Sequence, residues 1–473
     1  MSLRARAATA IALATLLGAC GATGDISYEE DGGAPAPSSV DPEPVEPSSF
    51  GTLSGLCGPG EYTVETSEQG IDNAQLNIGV ATDRTSEVRP GLNEELWMTS
   101  TAYADWCNNQ GGIGGLEINL VELSGGLFNV EAAMTTACSD VFAMVGGGFA
   151  QDNLEFSGKD ASDFHRCDMI DIPGFAASGE KSGSNGMVQP APNTPDTELN
   201  TIFRDFKQLE PAAATSAVIV YGELPTMEIN RDKYEAALTD SGIDIAGTVS
   251  YPVAGVTDWI PYAQRVIDTG ATMLTYVGEP ANLAALLSAL RQQRWTGTPV
   301  LQSNMYDPQL FSQGDEGPEG AIVRMSSHPF EEPDEWPAIK EYIDLMHTHE
   351  PGAKLSPLGV NSMSAWLLFT VAANECATTN DQQLGRTCVL EAAAAQTEWT
   401  GGGLHAPQTL GPNDEVATSP CAALVVARSG KFERLYPEIG SDNDDIDGFH
   451  CPDDGVTTVD DHDIGVIDPT RPL

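Results

Sequence analysis

The chain has 473 residues, with 69 acidic side chains against 22 basic ones and a net charge of -47 at pH 7. Such a chain repels nucleic acid and anionic lipid, which excludes both as partners held by charge. Residues 21–50 and 438–473 carry 7 and 11 of the acids, so most of the charge sits on the folded body, where its plainest role is solubility, including in salty surroundings.

Arg4 and Arg6 precede an uncharged apolar run over residues 7–17. That run falls short of the ~20 residues a membrane span needs. A basic start, a short apolar core and small residues at its end are the layout of an export signal, here 1–19. The signal closes on Leu17-Gly18-Ala19-Cys20. This order resembles the lipobox of bacterial lipoproteins, which implies that Cys20 becomes the mature N-terminus and carries lipid. Residues 20–71 then read as the lipidated cysteine and a disordered tether. The stretch DGGAPAPSSVDPEPVEPSS within it cannot bury enough apolar surface to fold. No other apolar run reaches membrane length, so the lipid is the only anchor expected.

Of nine cysteines, Cys20 is set aside and eight remain: Cys57, Cys107, Cys138, Cys167, Cys376, Cys388, Cys421 and Cys451. An even set in an exported chain points to disulfides. Eight cysteines allow on the order of 100 pairings. Short loops favour Cys376–Cys388 and Cys421–Cys451, with Cys57–Cys107 and Cys138–Cys167 for the rest.

From Gln75 the pattern alternates. QLNIGVA reads as a strand. A helix follows over 92–108, with Leu92, Leu96, Tyr103 and Trp106 or Cys107 at helical spacing, and GGIGG stops it. LEINLVEL is a strand, NVEAAMTTACSDV a helix and FAMVGGG a strand. MIDIPGF, AVIVYG, IAGTVSYP, TMLTYVG and TPVLQSN continue the strands. TELNTIFRDFKQL, NRDKYEAALTDSG, WIPYAQRVIDTG and NLAALLSALRQQRW supply helices between many of them. Beyond His328 the chain is mainly helical (EWPAIKEYIDLMHTH, SMSAWLLFTVAANEC, TCVLEAAAAQ) and ends on a strand pair turning at Ser429-Gly430. The alternation predicts an α/β fold with parallel, doubly wound sheets. Its strands are too many for one small sheet, so two lobes are expected.

Catalytic motifs find no foothold. There is no Gly-x-Ser-x-Gly elbow. GFAASGEKS departs from a phosphate loop because Glu180 separates Gly179 from Lys181. VGGGFAQ lacks the dinucleotide pattern and reads as a tight turn. His347 and His349 point to different helix faces and make no metal pair. DNDDIDG lacks the alternating acids and closing Glu of a calcium loop. No enzyme activity, cofactor or metal is expected. What recurs is a set of polar and aromatic loops at strand ends: ATDRTSEVRPG, GGGFAQDN, PGFAAS, YGELPT, YVGEP and SNMYDP. Open α/β sheets bind ligands in such crevices.

Asn108-Asn109-Gln110-Gly111-Gly112-Ile113-Gly114-Gly115, at the end of the first helix, carries a resemblance. Over about 75–432 the chain resembles the solute-binding proteins of ABC importers, specifically the leucine/isoleucine/valine-binding type, whose members have Asn-x-x-Gly-Gly-Ile-x-Gly at this place. The resemblance implies the type I periplasmic binding protein fold: two Rossmann-like lobes joined by a three-strand hinge. The crossings fall near 187–195, 325–333 and 400–406. Lobe I combines 72–190 with 330–400, lobe II combines 195–327 with 405–435, and 436–473 is an acidic C-terminal extension. The implied function is extracytoplasmic capture of a small polar solute, an amino acid or amide-like molecule, by hinge closure and its delivery to importer permease subunits. A ligand-sensing receptor without transport is the alternative. An exported hydrolase would need a nucleophile–base pair or metal cluster that the sequence does not offer.

Binding positions carried over by the resemblance fall on the strand-end loops. Where amino-acid binders present small hydroxyl residues, this chain has Gly148, Phe149, Ala150 and Gln151. The next loop offers Phe175, Ala177 and Ser178. The second lobe offers Tyr221, Glu223, Tyr276, Glu279 and Tyr306. Glu279 is expected to meet a ligand ammonium. Arg89, or the backbone N–H groups near Ala150 and Ala177, is expected to meet a carboxylate.

Overall fold

The computed structural model describes residues 48–459 apart from 66, 67, 69, 73, 74, 154–162 and 412–416. Cys20 and the export signal lie outside the described residues. The first sheet is built from β1 (Gln75–Thr82), β2 (Glu117–Ser124), β3 (Ala143–Val145) and β4 (Asp171–Ile172), with the short stretch Ile71–Asp72 added antiparallel to β1. The four labelled strands run parallel in the order β2-β1-β3-β4. Helix α1 (Glu94–Asn108) and helix α2 (Val130–Asp140) supply the crossovers. α1 ends where Asn108 binds the start of β2: its Nδ2 donates to the Ile118 carbonyl at 2.9 Å, and its Oδ1 accepts from the Ile118 N–H at 2.8 Å. That double bond is the physical content of the Asn before the glycines.

The second sheet holds β5 (Ser216–Gly222), β6 (Asp244–Tyr251), β7 (Met273–Val277), β8 (Thr298–Leu301), β9 (Ile322–Met325), β10 (Ala423–Arg428) and β11 (Lys431–Tyr436). Its order is β6-β5-β7-β8-β9-β10-β11, parallel through β9 and antiparallel beyond. Helices α3 (Thr201–Leu209), α4 (Pro225–Asp240), α5 (Ile260–Asp268) and α6 (Pro280–Gln292) belong to this half. α4, α5 and α6 carry Pro in the first turn, where a missing N–H costs nothing.

Helices α7 (Pro337–His349), α8 (Pro357–Thr379) and α9 (Arg386–Ala394) return to the first sheet, so each half is discontinuous in sequence. Trp366 and Phe369 of α8 share one core with Ile78, Val80 and Tyr103. Trp366 Nε1 donates to Ser100 Oγ at 2.8 Å.

The chain passes between the halves three times. In the first passage Val188 N–H donates to the Asp171 carbonyl at 3.0 Å. The second and third passages lie side by side, bridged at Ser327 and His405, with His328 N–H on the Leu404 carbonyl at 3.1 Å and Ala406 N–H on the Ser326 carbonyl at 3.0 Å. His405 Nδ1 lies 2.8 Å from the Ala406 carbonyl, which only accepts, so Nδ1 carries the proton. Nε2 then accepts from Ser364 Oγ at 2.8 Å. Burial lowers the His405 pKa to about 4 and keeps the ring neutral.

Residues 48–65, expected to lie in the tether, are folded, and residues 20–47 lie outside the described residues. Within residues 48–65, Phe50 and Leu56 are buried, and Cys57 is bonded to Cys107 of α1. Gly58 N–H donates to the Gly112 carbonyl at 2.8 Å and Tyr62 N–H to the Gly114 carbonyl at 2.9 Å. Gly115, at φ +91°, lies so close that a Cβ there would stand 2.2 Å from the Gly60 carbonyl oxygen. GGIGG thus ends the helix and also seats this strap. At the other end, Val456–Thr458 pairs with Thr197–Leu199 and Phe449 is buried, so part of the acidic extension is folded. The eight cysteines form Cys57–Cys107, Cys138–Cys167, Cys376–Cys388 and Cys421–Cys451. No helix among the described residues is long and apolar enough to cross a membrane.

Candidate functional site

Loops at the carboxyl ends of both sheets face one another across a cavity of about 560 Å³. From the first half come Arg89, Leu127, Phe128, Ala150, Phe175 and Ala177; from the second, Thr226, Tyr276, Glu279, Gln302 and Arg324. Close backbone approach makes the first wall possible. A Cβ on Gly147 would stand 2.3 Å from the Ala81 nitrogen, and one on Gly148 would stand 2.4 Å from the Phe175 ring. The triple glycine is there to let these loops converge.

Two buried carboxylates pin those loops. Asp83 accepts from Leu127 N–H through Oδ1 and from Ala150 N–H through Oδ2, both at 2.7 Å. Asp152 accepts from Ala177 N–H at 2.7 Å and from Ser178 N–H at 2.9 Å. Burial pushes both carboxyls above the usual range, and the backbone hydrogen bonds pull against it. This corrects one expectation: the N–H groups of Ala150 and Ala177 already hold the chain's own carboxylates and are not open to a solute's.

A second correction concerns the charges. Arg89 and Glu279 both line the cavity, but they pair with each other across the two halves. Lys354, before α8, makes a parallel link, reaching Glu95 at 2.6 Å and Asp307 of the second half at 2.7 Å. Burial works against this ammonium, but Glu95 and Asp307 outweigh it and hold its pKa above the ordinary value. Thr226 Oγ1 donates to the Ala150 carbonyl at 3.2 Å and accepts from Gln151 Nε2 at 3.1 Å, a third link.

Arg89, Ala150, Phe175, Ala177, Tyr276 and Glu279 therefore line the cavity. The other expected residues do not. Phe149 turns into the core with Leu123, Met134 and Met144. Gln151 bonds Thr226 beside the rim. Ser178 caps the helical turn Gly179–Ser182. Tyr221 lies under the Arg231 guanidinium. Glu223 accepts from Ser250 Oγ at 2.9 Å. Tyr306 bonds Glu331 and accepts from Phe330 N–H at 2.7 Å. Lys181, in the stretch that mimics a phosphate loop, is ion-paired with buried Asp171 in the core.

Sequence reasoning missed Asp83 and Asp152, and it missed the cavity-lining Asn193, Lys233, Gln302 and Arg324. A lone Arg inside the apolar run AIVRM was the one signal available for the last of these. No group of three or more His, Cys, Asp or Glu able to hold a metal ion occurs among the described residues.

Comparison with known proteins places this geometry. No curated protein sequence matches the chain. Among solved structures it is similar to a fatty acid ABC transporter substrate-binding protein from Thermomonospora curvata, at 17% identity and a TM-score of 0.66, covering 82% of this chain and 97% of that one. It is similar to the leucine-binding protein LivK from Thermotoga maritima MSB8, at 14% identity and a TM-score of 0.63, covering 80% and 99%. It is also similar to the branched-chain amino acid transporter substrate-binding protein LivJ from Streptococcus pneumoniae in complex with isoleucine, at 12% identity and a TM-score of 0.60, covering 77% and 100%. The periplasmic binding protein family matches residues 75–431, and the chain, with its two parallel sheets opening on a shared cavity, belongs to that family of binding proteins.

Proposed function

We propose that this protein captures a small organic solute between its lobes outside the cytoplasm and delivers it to the membrane subunits of an ABC importer. The observation that carries the reading is the cavity of about 560 Å³ walled by both halves, with the links Arg89–Glu279 and Lys354–Asp307 spanning its rim. That volume lies within the ~300–1,000 Å³ typical of small-molecule pockets. Residues 72–190 with 330–400 move as one lobe and 195–327 with 405–435 as the other, turning about the three crossing segments. Amino acids and amide-like molecules fall in the solute class, as do the leucine, isoleucine and fatty acid named for the structural neighbours. Mixed apolar and polar walls suit a solute with an apolar body and one polar end. Cys20 carries the lipid that holds the mature chain at the membrane.

Thermal shift of the mature chain against amino acids, their amides, aromatic acids and medium-chain fatty acids tests the reading. A solute present at ~100 times its dissociation constant is expected to stabilise the protein by about 2.7 kcal/mol. Absence of stabilisation across the whole panel would sink it. Mass spectrometry of the membrane-extracted protein tests the anchor, through the lipid mass expected on the Cys20 peptide and absent from Cys20→Ser.

A further inference from the structure

We propose that Gln302 and Arg324 form a carboxylate subsite at the end of the cavity nearest the crossing segments, and that the solute is an organic acid bearing an O–H or amide N–H beside that carboxylate. The inference rests on the solute-binding reading above and specifies the chemistry of the solute's polar end.

The two residues are neighbours by register. β8 and β9 run parallel, with Val300 opposite Ile322 and Leu301 opposite Val323. The next pair is Gln302 and Arg324. Side chains paired on adjacent strands leave the sheet on the same face, about 4.8 Å apart. Both line the cavity. Gln302 is 4% exposed, and neither atom of its amide has a hydrogen-bond partner; Arg324 Nε is buried and equally unpartnered. Buried polar atoms in native structures are satisfied, and the exceptions cost free energy. Three such atoms on two adjacent side chains call for a partner that the chain itself does not supply.

Charge points the same way. Among the described residues lining the cavity, the cations are Arg89, Lys233 and Arg324, and the anions are Glu198 and Glu279. Glu279 is paired with Arg89. Glu198 stands 3.5 Å from Lys233, whose ammonium also donates to Asn193 Oδ1 and the Thr194 carbonyl, each at 2.8 Å. Arg324 is left as the unmatched positive charge. A carboxylate supplies the countercharge and offers two acceptors to the guanidinium fork. Gln302 Nε2 donates to the same carboxylate, and its Oε1 accepts from the solute's own O–H or N–H. The alternative seat on the first lobe is closed by Asp83 and Asp152. An ammonium end would meet Arg324 as a like charge.

The test is calorimetry and thermal shift on the mature chain with matched pairs: 2-hydroxybenzoate and 2-hydroxybenzamide, N-acetyl-leucine and its amide, 2-hydroxyoctanoate and 2-hydroxyoctanamide. An acid is expected to bind at least about 30-fold tighter than its amide. Arg324→Gln should cost the acid at least about 30-fold in affinity and bring it level with the amide. Should Arg324→Gln fail to fold, Gln302→Glu places a carboxylate beside the guanidinium and should cost the acid at least about 30-fold more affinity than it costs the matched amide. Equal affinity for acids and amides, or acid affinity unmoved by either substitution, overturns the subsite. Amides that bind while acids do not overturn it and leave the solute-binding reading standing. A panel in which nothing binds overturns both.

Discussion

Asp83→Ala is the most informative single perturbation of the first lobe. The Asp83 carboxylate is fully buried and accepts two backbone N–H bonds of 2.7 Å, from Leu127 and Ala150. Truncation orphans both donors beneath the cavity wall. A buried unsatisfied polar group costs ~1–3 kcal/mol, so the two together cost about 2–6 kcal/mol. Against this stands the relief of removing a carboxylate that burial already disfavours, as its raised pKa records. The expected net loss is about 2–4 kcal/mol. Urea unfolding followed by circular dichroism measures it as a lower midpoint with unchanged slope. Leu127 and Ala150 line the cavity, so solute affinity should fall as well. A change within about 0.5 kcal/mol, the scale of an ordinary surface substitution, would refute the reasoning. It would also return the Ala150 N–H to the list of groups open to a ligand.

Other substitutions probe the rest of the frame. Cys57→Ala with Cys107→Ala opens a loop with a sequence separation of 50, which chain entropy values at about 4 kcal/mol, against about 3 kcal/mol for the separation of 12 between Cys376 and Cys388; equal losses in urea melts would contradict the loop-length argument. Asp205 is lifted by burial from 3.8 to about 6, with His450 opposing, so the folded chain keeps a proton that the unfolded chain has lost. The contribution of Asp205 itself to stability therefore falls as pH rises from about 4 to about 6, by at most about 3 kcal/mol, and Asp205→Asn should make stability rise more steeply with pH across that window in pH-resolved denaturation. His405 has the opposite sign. Its folded pKa drops from 6.5 to about 4, so its contribution is present above pH 6.5 and is lost as pH falls through that window. His405→Gln should lessen the acid sensitivity, with His328, which burial lowers to about 3, supplying the remainder; a variant with the wild-type slope would contradict burial of a neutral His405 ring.

Much of the architecture was legible because each element advertises itself. QLNIGVA and AVIVYG are central strands buried on both faces, and apolar runs of that length punctuated by glycine have few other solutions. Asn108 before GGIGG was legible as a helix end, though its double bond to Ile118 was not. The strap of residues 48–65 was read as tether because backbone hydrogen bonds and one disulfide hold it, and neither leaves a periodic pattern. At the site, the sequence located the loops but not the direction of their side chains. Phe149 and Phe175 both follow glycine at a strand end, yet the first turns to Met134 and Met144 while the second faces the cavity. Arg89 and Glu279 each looked available to a ligand, since nothing local tells a side chain that a distant partner will reach it first. Gln302 and Arg324 become neighbours only through the register of two strands. Such partners are fixed by tertiary structure, and no window of sequence contains them.

Closure of two lobes over a solute is the centre of this account, and spin labels report it most directly. Glu131 on α2 and Glu235 on α4 are exposed and lie on opposite halves, so Glu131→Cys with Glu235→Cys carries a label pair without entering the cavity. Double electron–electron resonance, recorded without solute and with the acid that stabilises the chain most, should show the inter-label distance shorten and its distribution narrow. Identical distributions in the two conditions, with the solute demonstrably bound, would contradict hinge closure.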